Sequence, residues 1–376
     1  MSERTGPQIY LAGTSTVDVH YPLCPEEQLP IFVHQAPIGD KVPTSNIDII
    51  SSHRLDLQNA GVTPLLETSG GNALSIVKRM AKLLPNSAYT IRTWTGNDRY
   101  GKIIKEDLTA DGIVTDIIEI TEGITPHGLV VPRYTHEGKL DRTIFSYKPE
   151  QIPSGFADNI PSQINFAIVN SLSGSDWPKQ LKEGTKKLKN NKTPYIYTPG
   201  STQLNAFKNT ETENRLDKLN AVFDAIEGSY ILSVNLDELM LLMRVKGVIT
   251  DRNHIPNLIK KAHQELKSHA LLITDGKNGA FGIDKKGKVW HVSAAPVKGN
   301  VKGTLGAGDA FISAAAIKYF ESEDIADSLT WGSVNGAMAV EEISAHDHIP
   351  TRAELEARVL ALPPSEIKEA KVSRAA

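Results

Sequence analysis

Short apolar runs alternate with amphipathic stretches along this chain, and that alternation limits the fold more than any other feature. Ile9-Tyr10-Leu11-Ala12, Phe166-Ala167-Ile168-Val169, Tyr195-Ile196-Tyr197, Tyr230 to Val234 and Ala270 to Ile273 are strand-length and almost wholly apolar. Such runs suit strands covered on both faces. Helix-length segments separate them. Ala73 to Leu84 carries Ile76, Val77, Met80, Ala81 and Leu84 on one side, and Tyr100–Leu108, Leu236–Met243 and His254–Lys267 read the same way. The repeated strand–helix order from about 160 to 275 predicts an α/β fold with a mostly parallel sheet between two helical layers. Ala88–Trp94 reads as a further strand, and Ala280–Ile283 with Lys288–Val292 as a hairpin around Lys285-Lys286-Gly287. Asp309–Tyr319, Ile325–Glu342 and Thr351–Leu360 close the chain as helices. Ligands of such sheets bind beyond the carboxyl ends of the strands, which brings the loops after Leu11, Val234, Ile273 and Val301 to one rim.

Two stretches break the rhythm. Pro22 to Glu67 is rich in Pro, Asn and Asp with few helical faces, and Ile117 to Tyr147 alternates as strands. Segments of about 18–67 and 113–148 are expected to form a small β-sheet lid over the rim of a single domain spanning 8–362, with 363–376 as a flexible polar tail.

A formal net charge of −3 offers no electrostatic footprint for nucleic acid or an anionic membrane. No window approaches the roughly 20 apolar residues of a membrane-spanning helix. Cys24 is the only cysteine, so an intramolecular disulfide is impossible and a reducing, cytoplasmic setting fits. The tightest histidine cluster, His346-Asp347-His348, lacks a third ligand at metal spacing and reads as surface. Arg133 and Arg142 read as exposed charges of the lid.

The chemistry concentrates in Gly303-Thr304-Leu305-Gly306-Ala307-Gly308-Asp309, directly before the apolar run from Ala310 to Ile317. Small residues at a helix N-terminus expose backbone N–H groups to which an anion can come close. An aspartate beside that anion can take the proton of an attacking hydroxyl. Cradle and base together are the minimum equipment for phosphoryl transfer to an alcohol. This string closely resembles the D-T-x-G-A-G-D signature of the ribokinase-type carbohydrate and nucleoside kinases, with Gly303 in place of the first aspartate.

Further motifs follow in the order of that family. Asp18 occupies the place of the aspartate that grips sugar hydroxyls. Gly70-Gly71-Asn72 resembles the diglycine that bends as the lid closes; Ser75 stands where the family has the asparagine that touches the acceptor, and Asn72 comes early. Thr95-Gly96-Asn97-Asp98-Arg99-Tyr100-Gly101 is similar to a segment that reads as structural. Asn235 and Glu238 match the N-x-x-E pair that organises hydrated magnesium and the phosphates. Thr274-x-Gly276-x-x-Gly279 is similar to the loop beside the nucleotide, and Asn335 lies in the helix that lines the family's adenine pocket. Lys277 in that loop reads as solvated. The Gly-Ala pair beside the family's monovalent-cation site is changed to Ser344-Ala345, which speaks against a potassium requirement.

The resemblance implies a ribokinase-like three-layer fold and an ATP- and Mg²⁺-dependent kinase, a monomer or homodimer, acting on a hydroxymethyl group of a sugar or nucleoside. Asp309 is the expected base, and the N–H groups of Gly306, Ala307 and Gly308 the expected phosphoryl cradle. Asp18, Gly70, Gly71 and Asn72 are expected at the acceptor, and Asn235, Glu238, Thr274, Gly276, Gly279 and Asn335 at the nucleotide. The long insertion between Asp18 and Gly70 favours a nucleoside over a sugar. A catalytically silent nucleotide or sugar sensor of the same fold is the alternative, supported by the departures at Gly303, Ser75 and Ser344-Ala345.

Overall fold

A computed structural model describes residues 6–38, 41–120, 122–134, 140–149, 155–208, 214–342, 348–362 and 367–369. The strands are β1 (Gln8–Ala12), β2 (Thr16–His20), β3 (Lys41–Thr44), β4 (Leu66–Gly70), β5 (Ala88–Gly96), β6 (Val114–Ile120), β7 (His127–Tyr134), β8 (Leu140–Tyr147), β9 (Phe166–Asn170), β10 (Tyr195–Thr198), β11 (Ile231–Asn235), β12 (Ala270–Thr274), β13 (Ala280–Ile283), β14 (Val289–Val292) and β15 (Ile367–Glu369). The helices are α1 (Ile31–Gln35), α2 (Ile47–Asn59), α3 (Asn72–Leu83), α4 (Arg99–Ala110), α5 (Trp177–Asn190), α6 (Ser201–Lys208), α7 (Arg215–Ile226), α8 (Leu236–Val245), α9 (Ile255–Leu266), α10 (Ala307–Ser322), α11 (Ile325–Val340) and α12 (Arg352–Leu360).

The strands form a ten-stranded sheet, ordered β15-β14-β13-β12-β11-β10-β9-β1-β5-β6, and a five-stranded sheet, β3-β8-β7-β2-β4. From β12 through β6 the large sheet is parallel, and the β13–β14 hairpin and β15 extend it antiparallel. Successive strand side chains point to opposite faces. Ile9 and Leu11 therefore join one core with α3, α4, α10 and α11, while Tyr10 and Ala12 join the other with α5, α7, α8 and α9. This is the three-layer α/β architecture expected.

Three details differ from expectation. Residues 114–120 belong to the edge of the large sheet, paired in parallel with β5, and the second sheet resumes only at His127. The polar insertion contains a helix, α2, whose N-cap Asn46 accepts from the Asp48 N–H. Only Ile50 and Leu57 of α2 are buried, so its apolar periodicity is faint. Residues 367–369 are no loose tail but pair with β14.

Candidate functional site

Residues 303–309 enter α10 as a tight turn. Gly306 is the N-cap with a left-handed φ of +77°, a conformation glycine adopts without strain. The first turn of a helix leaves its N–H groups without intrahelical partners. A side chain added at Gly308 would meet nothing within 4 Å, so the space above this turn is open. Behind it α10 is buried almost all round, from Ala310 to Ile317 and at Tyr319, which holds the turn against the core.

Two cavities meet at this turn. The first lies between it and the second sheet, with Asp18, Ser75, His127, Gly128 and Asp309 among its walls. The second extends over the carboxyl ends of β9 to β12 and reaches Asn235, Glu238, Thr274 and Gly308. Thr14, Lys41, Asn72, Lys148 and Asp309 line both. Asp309 thus sits on the common wall. Burial pushes its pKa from 3.8 to about 7, against the opposing charges of Lys41 and Arg79 and with the help of Asp18. A carboxylate near pH 7 in its affinity for a proton is matched to general-base work.

Asp18 projects from β2 with its pKa raised by burial, an effect that His20, Lys41, Thr16 and Lys148 oppose. Its cross-strand neighbour on β7 is Gly128, and a Cβ on Gly70 of β4 would stand 2.4 Å from its Oδ2. Gly71 caps α3 at φ +90°, and a Cβ there would press to 2.6 Å of the Thr14 carbonyl oxygen. The diglycine therefore makes room twice, first for Asp18 and then for the loop after β1. Asn72 and Ser75 both face the first cavity.

On the other side, the Asn235 side chain accepts from the Glu238 N–H and the Glu238 side chain from the Asn235 N–H, each at 2.9 Å. This reciprocal cap uses one oxygen of each side chain. Burial raises the Glu238 pKa, partly offset by the Asn235 N–H and Lys208. Among the described residues no group of three or more His, Cys, Asp or Glu could hold a metal by itself. A lone carboxylate over open space fits a magnesium ion that keeps most of its waters and binds the nucleotide's phosphates.

Thr274 lines the second cavity, whereas Gly276 and Gly279 do not. Gly279 serves the β12–β13 turn, where a Cβ would fall 2.0 Å from the Val292 carbonyl oxygen. Asn335 is fully buried between α10 and α11, where its amide donates to the Ala310 carbonyl at 2.6 Å and to Ser313 Oγ at 3.2 Å. It ties helices together and lines neither cavity. Asp98 is structural as expected: it caps α4 at the Gly101 N–H and accepts from Thr125.

The two lid arginines are not free charges. Arg133 is buried, donating to the carbonyls of Val33 and Ala36 and pairing with Glu26. Arg142 bonds Asp141 and the Thr304 hydroxyl, so it ties β8 to the turn before α10. The Ser344-Ala345 pair and His346-Asp347 lie outside the described residues; His348 stands 3.7 Å from Glu354 at the surface.

Sequence reasoning missed Lys41, Lys148 and Arg79, and the loop from Thr198 to Thr202. Lysines and arginines read as solvated by default. The loop carried a usable signal, since it follows the carboxyl end of β10, where open α/β sheets bind ligands.

The pfkB family carbohydrate kinase pattern matches residues 64–352, a span that holds the diglycine, the Asn235–Glu238 cap and the Asp309 turn. The chain belongs to the pfkB carbohydrate kinase family. A relative, 5-dehydro-2-deoxygluconokinase of Listeria innocua, is 32% identical over 105 residues, which are 28% of this chain and 30% of that protein. The matched segment thus spans less than a third of the relative's length. The fold is similar to that of adenosine kinase from Sinorhizobium meliloti, with a TM-score of 0.69 at 15% identity, covering 94% of this chain and 99% of that one. It is also similar to Arabidopsis thaliana ribokinase complexed with ribose and ATP, with a TM-score of 0.66 at 18% identity and the same coverage. No helix among the described residues is long and apolar enough to cross a membrane.

Proposed function

We propose that this pfkB-family chain is an ATP-dependent kinase that phosphorylates a hydroxyl group of a small polyhydroxylated acceptor, a sugar or sugar acid. The observation that carries this reading is the position of Asp309 on the wall common to two cavities. The acceptor occupies the first, with vicinal hydroxyls on Asp18. ATP occupies the second, with its γ-phosphoryl group over the α10 N-terminus. Asp309 takes the proton of the attacking hydroxyl, and the Gly306 to Gly308 amides hold the equatorial oxygens of the group in transfer. Magnesium, held through water by Glu238 and Asn235, would neutralise charge on the β- and γ-phosphates.

A sugar is favoured over the nucleoside expected from the insertion length. Among the described residues, most walls of the first cavity are hydroxyl, amide, glycine and charged residues, Ile144 and Leu305 are its aliphatic side chains, and His127 is its only ring, so it offers little to stack a base on. A nucleobase calls for apolar or stacking surface. The name of the Listeria relative, 5-dehydro-2-deoxygluconokinase, is that of a sugar-acid kinase and supports the same choice. The second sheet acts as the lid that excludes water. We place the enzyme in the cytoplasm, where the lone Cys24 stays reduced.

The test is ADP release from ATP and Mg²⁺ across a panel of sugars, sugar acids and nucleosides. Turnover is expected with a sugar or sugar acid, and Asp309→Asn should lower kcat about 10²–10⁴-fold. Acceptor binding without ADP release across the whole panel would instead establish the silent sensor.

A further inference from the structure

Five residues line both cavities, and the two cations among them, Lys41 and Lys148, have no role in the mechanism above. They come from one pair of strands. Lys41 opens β3, alongside Ile144 of β8, and Lys148 follows β8, its backbone N–H donating to the Thr44 carbonyl at the far end of β3. Two ammonium groups from opposite ends of this couple reach the same junction. Among the described residues neither closes an ion pair within 4 Å. Two like charges facing one space repel, and an anion between them relieves the repulsion.

A side chain that recognised only the acceptor would line only the first cavity, as Asp18 and His127 do, and one that held only the nucleotide would line only the second, as Glu238 does. A side chain on both walls touches what passes between them. Building on the kinase reading, we infer that Lys41 and Lys148 form a two-jawed cationic clamp, carried by the lid, on the phosphoryl group in flight.

In the step itself the acceptor oxygen forms a bond to the γ-phosphorus as the bond to the β,γ-bridging oxygen breaks. The electron pair of that bond leaves with ADP, and the hydroxyl proton passes to Asp309. The lysines remain protonated and donate to the equatorial oxygens from the lid side, opposite the α10 amides. Charge spread over those oxygens is greatest during transfer, so the clamp strengthens there and raises kcat rather than affinity. Because both jaws ride on the second sheet, the cationic half of the site assembles only with the lid in place. Lys148 also provides a readout: burial and Lys41 push its pKa down to about 8, against Asp18. The other charged or titratable walls of the two cavities are Asp309, His127 and Glu238.

The experiment compares wild type, Lys41→Met, Lys148→Met and Lys148→Arg in the full chain, with an acceptor from the panel. Each methionine variant should lose about 10²-fold or more in kcat, with KM for acceptor and for ATP within about threefold. Lys148→Arg should recover part of the loss and move the alkaline limb of kcat/KM, near pH 8 in wild type, to higher pH. Independently of any acceptor, ADP with aluminium fluoride, a mimic of the phosphoryl group in transit, should bind wild type more tightly than ADP alone. Both methionine variants should lose that advantage while keeping their ADP affinity. An unchanged kcat, or a raised acceptor KM at constant kcat, overturns the clamp; the latter would assign the lysines to an anionic group of the acceptor. Full kcat in the lysine variants beside an inactive Asp309→Asn would sink the clamp and leave the kinase reading standing. A wild type without turnover on any acceptor removes both.

Discussion

Asp18 and Gly70 sit so close across the β2–β4 pair that a single methyl group on the glycine would stand 2.4 Å from the carboxylate oxygen. Gly70 is therefore set by the space its partner needs rather than by backbone freedom. Gly70→Ala should displace Asp18 from the acceptor cavity. The expected result is an acceptor KM raised about tenfold or more with the ATP KM unchanged, read from steady-state kinetics, since a lost hydrogen bond to a charged group costs about 1.5–3 kcal/mol.

Asp309 ties activity to pH in one direction and stability in the other. With a pKa of about 7, its basic form is lost as pH falls, so kcat/KM should decline tenfold per unit below about pH 6. The folded pKa lies above the ordinary 3.8, so the folded chain holds this proton more tightly than the unfolded chain does. Its ionisation then lowers stability progressively from about pH 4 to pH 7, and the full penalty persists above that. Asp309→Asn should accordingly melt at a higher temperature than wild type at pH 8, with the gain shrinking toward pH 4. A calorimetric series over that range checks the sign.

Glu238 has two duties that one substitution can part. Glu238→Gln keeps an oxygen for the Asn235 N–H and so preserves the cap, while removing the charge. The Tm should stay within a degree or two, while the Mg²⁺ concentration needed for half-maximal activity rises about tenfold or more. Glu238→Ala should in addition lose about 1 kcal/mol of stability with the cap.

Asn335→Ala separates a packing role from a nucleotide-binding one. The side chain bonds the Ala310 carbonyl inside the α10–α11 contact. Its loss should cost about 1–3 kcal/mol in chemical denaturation and leave the ATP KM unchanged. A raised ATP KM at wild-type stability would return Asn335 to the nucleotide site.

The large sheet was legible because its strands are covered on both faces and so appear as unbroken apolar runs, as in Phe166 to Val169 and Ala270 to Ile273. The reactive turn was legible because its glycines and aspartate are contiguous. α5 went unread although Trp177, Leu181 and Leu188 fall on one buried stripe, which they share with Gln180, Gly184 and Thr185. Lys41, Lys148 and Arg79 were invisible for another reason: a charged residue in a sequence carries no mark of where its head group will end up. Arg79 is only 1% exposed, yet its helix position looks like any other solvated charge. Asn335 shows a further ambiguity, since a polar residue in an apolar helix suggests a pocket as readily as the helix-to-helix bond seen here.

The helix bearing Asp309 is walled in by the core along nearly its whole length, whereas Asp18, Gly128 and the two lysines hang from a separate small sheet. In the proposed mechanism the base is anchored in the large core while the acceptor-gripping aspartate and the cationic clamp ride on the small sheet. A change in the small sheet would then alter acceptor choice and transfer rate together, so selection for a new acceptor there would be constrained by the need to keep both lysines in place.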